Sequence, residues 1–266
     1  MKHIFSNKNR ALLSELVRTD FKLRYQNSVL GYAWSLLRPL LLFVILYVVF
    51  VKFLKLGNDI PHYPVYLLLG IVIWNFFVEM TVQSLGSIVV RGDLIRKIRI
   101  PRWIIILSSS ISALINLSLN LIIVAVFMLI NHVNLMMTGL LLPLILLEVY
   151  VFALGLSLFL SAAFVRFRDM SYIWDVLLQA GFYLTPILYP VSRIANPTLK
   201  KLLFINPMGQ AIQDARYALV THQTITIHHI FNGSWHQLIP FLFTLIALIV
   251  GVIYFKHESK YFAENI

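Results

Sequence analysis

Apolar residues fall into six long runs: Leu36–Phe53, Val65–Leu85, Trp103–Ile130, Gly139–Phe164, Tyr172–Tyr189 and Leu238–Phe255. Crossing a bilayer takes about 20 predominantly apolar residues as a helix. Barrel strands would instead be about ten residues of strict alternation. The runs are continuous and rich in Leu and Ile, so the pattern predicts an all-α integral membrane protein with six transmembrane helices. Pro143 stands near the start of the fourth run, and the third is long enough to tilt. Ahead of the first run, Arg18, Asp20, Lys22 and Arg24 alternate with Phe21, Leu23 and Tyr25. That mixture predicts an N-terminal amphipathic helix lying in the headgroup layer, apolar side down. The fifth run closes on GFYLTPILYP, where Pro186 and Pro190 break the helix and free carbonyls that must be buried or wetted. Residues 190–237 are too apolar for a free loop. They predict two short re-entrant helices before the last span, with Asn206-Pro207 as the turn and Pro207 in a first helical position.

Charge sets the orientation. The chain has 22 Lys and Arg against 11 Asp and Glu, a net charge of +11. Sixteen of the 22 fall in the N-terminal segment including Arg38, in 86–102, in 165–171 or after Phe255, and six fall in the remaining loops. The positive-inside rule then puts both termini in the cytoplasm. The predicted layout is one membrane domain over 1–266: interface helix 1–33, spans one to five 36–189, an extracytoplasmic segment 190–237, span six 238–255 and a tail 256–266. Only 12% of residues are charged and 59% are hydrophobic, about half the charge of a soluble domain. The bases flank apolar spans, which fits topology and anionic lipid and not nucleic acid. No cysteine is present, which excludes disulfides and thiol chemistry. The first apolar run is too late and too long for the h-region of a cleavable signal.

Several polar residues share helical faces inside the runs: Asn75, Glu79 and Gln83; Ser112, Asn116 and Asn120; Asp175 and Gln179. Glu148 stands alone on the fourth run. Intramembrane carboxylates are functional suspects. Hydrogen bonding between helices accounts for the same spacing and is the reading we favour, since a proton relay would want more ionisable groups. Trp34, Trp74, Trp103 and Trp174 read as interface anchors. Phe43, Tyr47 and Phe50 fall at i, i+4 and i+7, and Phe182 and Tyr183 lie beside the Pro186 break. They serve as packing or lipid contacts, or as a slide for sugar rings, whose C–H faces rest on aromatic surfaces. His222, His228, His229 and His236 cluster in the outer segment, but spacing alone does not make a metal site, and we assign none. The sequence contains no Walker, GxSxG or HExxH motif.

Four stretches carry a resemblance: RTDFKLRYQNSVLGYAWSLLRPLL (18–41), RGDLIRKIRIPRWII (91–105), FVRFRDMSYIWD (164–175) and FYLTPILYP with LLFINPM (182–190 and 202–208). They resemble ABC-2-type permeases that export cell-surface polysaccharides such as O-antigens, capsules, teichoic acids and rhamnose-rich glycans. The resemblance implies a bacterial plasma-membrane homodimer with a channel between its copies and two copies of a separate cytoplasmic ATPase. No cofactor would bind this chain, ATP and Mg being held by the ATPase. It implies that Arg91, Arg96, Lys97, Arg99 and Pro101, with Arg168 and Asp169, form the coupling surface. Lys22, Arg24 and Tyr25 would belong to the interface helix. Pro186, Pro190, Asn206 and Pro207 would shape the outer gate. Phe43, Tyr47, Phe50, Phe182 and Tyr183 would line the channel for a lipid-linked glycan. Two alternatives stay open: a drug or small-lipid exporter of the same fold, and a membrane glycosyl- or acyltransferase using Asp169 and Asp175 as acids.

Overall fold

The middle of the molecule is a helix with no polar stripe wide enough to face water. In the computed structural model, α3 (Tyr63–Val90) is apolar nearly all round and is buried over most of its length, as such a helix must be. The structure describes residues 7–25, 31, 33–53, 55, 60–97, 101–134, 136–232 and 235–262. Among these every regular element is helical. α1 is Asn7–Tyr25. α2 (Ala33–Tyr47) continues as a π-helical stretch, Val48–Phe53. α4 is Gly92–Lys97 and α5 Trp103–Ile130. A 3₁₀ turn at Met137–Leu141 leads into α6 (Leu142–Arg166). α7 is Met170–Leu184, α8 Pro197–Ile205, α9 Pro207–Leu219, α10 Ile227–Phe231 and α11 Ile239–Glu258.

Among the described residues five helical segments are long and apolar enough to cross a membrane: Ala33–Phe53, Tyr63–Val90, Trp103–Ile130, Met137–Arg166 and Trp235–Glu258. The other apolar run, 172–189, gives a helix of only 15 residues, α7. Its end has a local cause. Thr185 precedes Pro186 and sits at φ −81°, ψ 137°, the extended region that a following proline imposes. Residues 185–189 then continue as turns and bends. Pro143 starts α6 and does not interrupt it, its missing N–H being one that no helix start satisfies internally.

Two packed ends frame the bundle. At one, Ile88, Ile95, Ile105, Val165, Phe255 and Phe262 form a single cluster, joining α3, α4, α5, α6, α11 and the residues after α11. α1 runs along α5 at the same end. At the other end α9 packs on α3, on α6 and on the Met137–Leu141 turn. α8 and α9 each begin on an Asn-Pro pair. Asn196 accepts from the backbone N–H groups of Thr198 (2.9 Å) and Leu199 (3.4 Å), and Asn206 accepts from Met208 (3.0 Å). Each proline fills the first helical position, so cap and fixed φ cooperate. α11 packs chiefly on α6. There a Cβ on Gly251 would collide with the Gly155 carbonyl, so the two backbones approach through glycine alone. The opposite side of α11 exposes Phe241, Leu242, Leu245, Ile249 and Ile253, as lipid contact allows.

Candidate functional site

Most of the polar residues singled out inside the spans gather along one groove. A cavity of about 740 Å³ lies among α2, α3, α5 and α7. Asn75, Glu79 and Gln83 line it from α3, Asn116 and Asn120 from α5, Asp175 and Gln179 from α7, and Trp34, Ser35, Arg38 and Pro39 from α2. Glu79 is the hub. It accepts from Gln83 Nε2 (2.7 Å) and, very closely, from Asn116 Nδ2. Asn120 Nδ2 donates to the Asn116 carbonyl at 2.8 Å and toward that of Ser35 at 3.4 Å. The amide oxygens of Asn116 and Asn120 are buried and meet no donor among the described residues. Interhelical hydrogen bonding is therefore present, and it leaves acceptors over. Such orphans in an apolar bundle cost about 1–3 kcal/mol each unless water or a ligand meets them.

A second cavity, about 820 Å³, opens toward the α4 end and shares Val82 and Gln83 with the groove. Leu16, Thr19 and Asp20 of α1 line it, with Arg91 and Leu94. Asp20 pairs closely with Arg91, and Arg91 Nη1 lies 3.4 Å from Ser108 Oγ. This ion pair was not legible from local pattern, because its partners are 71 positions apart.

The aromatic candidates lie farther along two of the helices that line the groove, outside its lining residues. On α2, Ser35, Pro39, Phe43 and Tyr47 follow at i, i+4, i+8 and i+12, one stripe along the helix. Phe43 is 4% exposed and packs on Tyr47 (5.7 Å between rings) and edge-on against Phe127 (5.3 Å). Phe50 falls in the π-helical stretch, partly buried. On α7, Asp175 and Gln179 lead to Phe182 and Tyr183. Phe182 meets Trp74, whereas Tyr183 is 67% exposed. Trp74 is no interface anchor. It is buried against Phe77 and Gly181, because α3 runs through the core. Trp174 donates its indole N–H to Thr81 (3.1 Å).

The carbonyls freed at the Pro186 break find an unexpected partner. Arg216, on α9, is fully buried. Its guanidinium donates to the carbonyls of Tyr66 (2.9 Å), Pro186 (2.6 Å) and Ile187 (2.7 Å) and lies 3.6 Å from the centre of the Tyr66 ring. The sequence had placed it merely among the loop cations. The available signal was an arginine inside an apolar helical stretch beside a proline-broken span. Tyr63 donates to Leu188 O (2.7 Å), fastening the same corner. Nor does Glu148 stand alone: Gln210 and Asp214 of α9 face it. Gln210 Nε2 donates to Asp214 (2.5 Å), and burial pushes the Asp214 carboxyl up to about 6 against that hydrogen bond.

The remaining predicted residues are spread over both ends. Arg96 and Lys97 are exposed on α4 while Ile95 anchors it; Pro101 precedes α5, and Arg99 lies outside the described residues. Arg168 lies over the Phe164 ring (5.3 Å) and Asp169 is exposed at the start of α7. Lys22 is exposed on α1, whereas the side chains of Arg24 and Tyr25 are outside the described set. Pro190 is buried between the break and the 3₁₀ turn Val191–Arg193. The histidines are held by ring contacts and a cap, with Tyr217 near both His222 and His229 and His228 beside His229. His222 stacks on Tyr217 (4.6 Å), His229 Nδ1 accepts from the Thr226 N–H at the start of α10, and His236 stacks on Trp235 (4.3 Å). Among the described residues no three His, Asp or Glu side chains converge as a metal site would need.

Long apolar helices around a polar groove define a multi-pass membrane protein. Comparison with known proteins agrees with that class and narrows it. The ABC-2 type transporter family model matches residues 11–220, so the chain belongs to that family. It is 28% identical over 261 residues to the O-antigen export system permease protein RfbA of Myxococcus xanthus, covering 97% of this chain and 96% of the relative. A protein of the same name from Klebsiella pneumoniae is 28% identical over 254 residues, covering 95% and 94%. The polysialic acid transport protein KpsM of Escherichia coli is 21% identical over 260 residues, covering 94% and 95%. The chain is thus the membrane subunit of a transporter and not an enzyme, working with an ATP-binding cassette ATPase.

Proposed function

We propose that this subunit exports a lipid-linked cell-surface polysaccharide across the bacterial plasma membrane, as a homodimer served by two copies of a cytoplasmic ATPase. ATP and Mg belong to that ATPase and no cofactor to this chain. The observation that carries the reading is the polar lining of the groove. Its walls hold amides and carboxylates, with Arg38, suited to sugar hydroxyls. Beyond that lining, the same helices carry Tyr47 on α2 and the exposed Tyr183 on α7, with Phe43 and Phe182 packed beside them and Phe50 farther on. Aromatic faces support sugar rings without gripping them. An apolar drug or small lipid has little use for a run of carboxamides. Full-length relatives named for O-antigen and polysialic acid transport support the same cargo class.

In this reading the α4 end is cytoplasmic, with both termini, and the whole chain 1–266 is one domain. α7 and the turn after it make a sixth crossing, the route from the α4 end back to the α9 end. α1 is the interface helix, carrying Lys22, Arg24 and Tyr25. The cavity under α1 is the side door through which the lipid anchor travels beside the glycan. Arg91, Arg96, Lys97, Arg99 and Pro101, with Arg168 and Asp169, form the ATPase-facing surface. α8 and α9 are re-entrant, and the corner of Pro186, Pro190, Asn206 and Pro207 is the outer gate.

Gln179 and Tyr183 test the path without disturbing the core, both being exposed on α7. The double variant Gln179→Leu, Tyr183→Ala is expected to cut surface glycan per folded molecule severalfold. Basal ATP hydrolysis should persist, since the nucleotide site is on another chain. Unchanged glycan per folded molecule would remove the proposed path.

A further inference from the structure

The residues that follow α11 are packed as a free tail would not be. Chain ends fray unless something ties them down. Here the Ser259 N–H donates to the Phe255 carbonyl (2.8 Å) and the Tyr261 N–H to that of Glu258 (2.9 Å), a turn that carries the chain past the helix. Lys260 and Tyr261 are exposed, yet Phe262 is only 1% exposed. Its ring meets Phe255 edge-on, with 5.5 Å between centres and 79° between planes. It shares one apolar cluster with Ile88 of α3, Ile95 of α4, Ile105 and Ile106 of α5 and Val165 of α6.

The element that gains most from this ring is α4. It has six residues, too few for a helix to hold by its own hydrogen bonds, so its place is set by packing. Asp93, Arg96 and Lys97 are exposed on it, and Ile95 is the side chain it buries in the cluster. Farther along the chain, at the start of α5, the Arg102 guanidinium stands 6.0 Å from the centre of the Phe262 ring, within cation–π reach. Ile95 and Arg102 flank the stretch 96–101, which contains Arg96, Lys97, Arg99 and Pro101. One aromatic ring thus belongs to the packing at both ends of that stretch. A close-packed core passes displacement on and yields little to compression. Phe255, beneath the ring, lies on α11, which packs along α6 and meets α9 at the other end of the bundle.

We propose that Phe262 is a positioning residue for energy coupling: it seats α4 and the start of α5 against the bundle, so that a push from the ATPase moves the spans. The proposal rests on the reading above that the α4 end faces the ATPase. The test is a size series, Phe262→Leu, Phe262→Val and Phe262→Ala, in the full-length chain with its ATPase. Surface glycan per folded complex is measured in cells, and ATP hydrolysis per complex in nanodiscs. Glycan exported per ATP hydrolysed is expected to stay near the parent value for leucine, which still fills most of the space. It should fall severalfold for valine and further for alanine. A residue that only stabilises the fold would lower the amount of complex and leave that ratio alone. Should the alanine variant fail to assemble, the leucine–valine comparison decides. One constant ratio across every variant that assembles would reduce Phe262 to a packing residue. A separate measurement tests the underlying reading. Lys97→Cys, exposed on α4, is labelled with benzophenone maleimide and irradiated, and a crosslink to the ATPase is expected. Absence of that crosslink sinks the placement of the ATPase and the proposal with it, whereas a crosslink beside a constant ratio sinks the role of Phe262 alone.

Discussion

Arg216 shows how one side chain can close a defect made by another. Pro186 ends a helix inside the bundle and leaves carbonyls facing apolar surroundings. The planar guanidinium reaches the Pro186 and Ile187 carbonyls and the Tyr66 carbonyl of α3 at once, and lays its face on Tyr66. A lysine has neither the fork nor the flat face. Arg216→Lys should therefore lower the melting temperature, and Arg216→Leu should lower it further. The leucine variant leaves the Pro186 and Ile187 carbonyls unmet, at about 1–3 kcal/mol each. Residues 190–237 should become the first protease-sensitive segment. Thermal unfolding and limited proteolysis in nanodiscs check both, and an unaltered melting curve for Arg216→Leu would remove the role. At this scale the sequence was a partial guide. Pro186 announced the break and Asn206-Pro207 the turn into α9, because both act on neighbouring backbone. Arg216 acts across 150 positions, on Tyr66, and no local pattern reports that.

At the scale of elements, α1 is fastened to the junction of α3 and α4 by Asp20 and Arg91, with Ser108 of α5 beside the pair. Both ion-pair side chains are mostly sheltered, at 22% and 16% exposure. Their coupling should exceed that of a surface pair, about 1 kcal/mol or more. Asp20→Arg and Arg91→Asp should each lower stability and export, and the charge-swapped double variant should recover part of both. A double-mutant cycle on melting temperature and surface glycan measures this. Strictly additive losses would show that the pair does not couple α1 to that junction. The long helices were legible because a continuous apolar run has one solution in lipid. The run at 103–130 matches α5 residue for residue. α7 stops at Leu184, short of the apolar run, because the steric demand of Pro186 outweighs hydropathy.

For the whole molecule, connectivity decides sidedness. α7 leaves the α4 end, and the residues just after it meet Arg216 at the α9 end. The residues after α11 return to the cluster that holds α4. With no native cysteine, single substitutions read this cleanly. Arg10→Cys and Lys260→Cys, both at exposed positions, should label from one side of the membrane, and Asn196→Cys from the other. Labelling of Lys260→Cys from the Asn196 side would break the six-crossing layout.

Composition and short spacing alone carry the helical membrane class, the apolar runs, the charge bias and the motifs that resemble the family. Helical period also put Asn75, Glu79 and Gln83 on one face, and Asn116 and Asn120 on another. It could not say that these faces meet. The 3.6-residue period fixes which side chains share a face, but the rotation of one helix about its axis relative to the next is set by packing. Only the tertiary structure turned separate polar stripes into a groove around Glu79, brought Gln210 and Asp214 to Glu148, and seated Arg216 on the carbonyls of a broken helix.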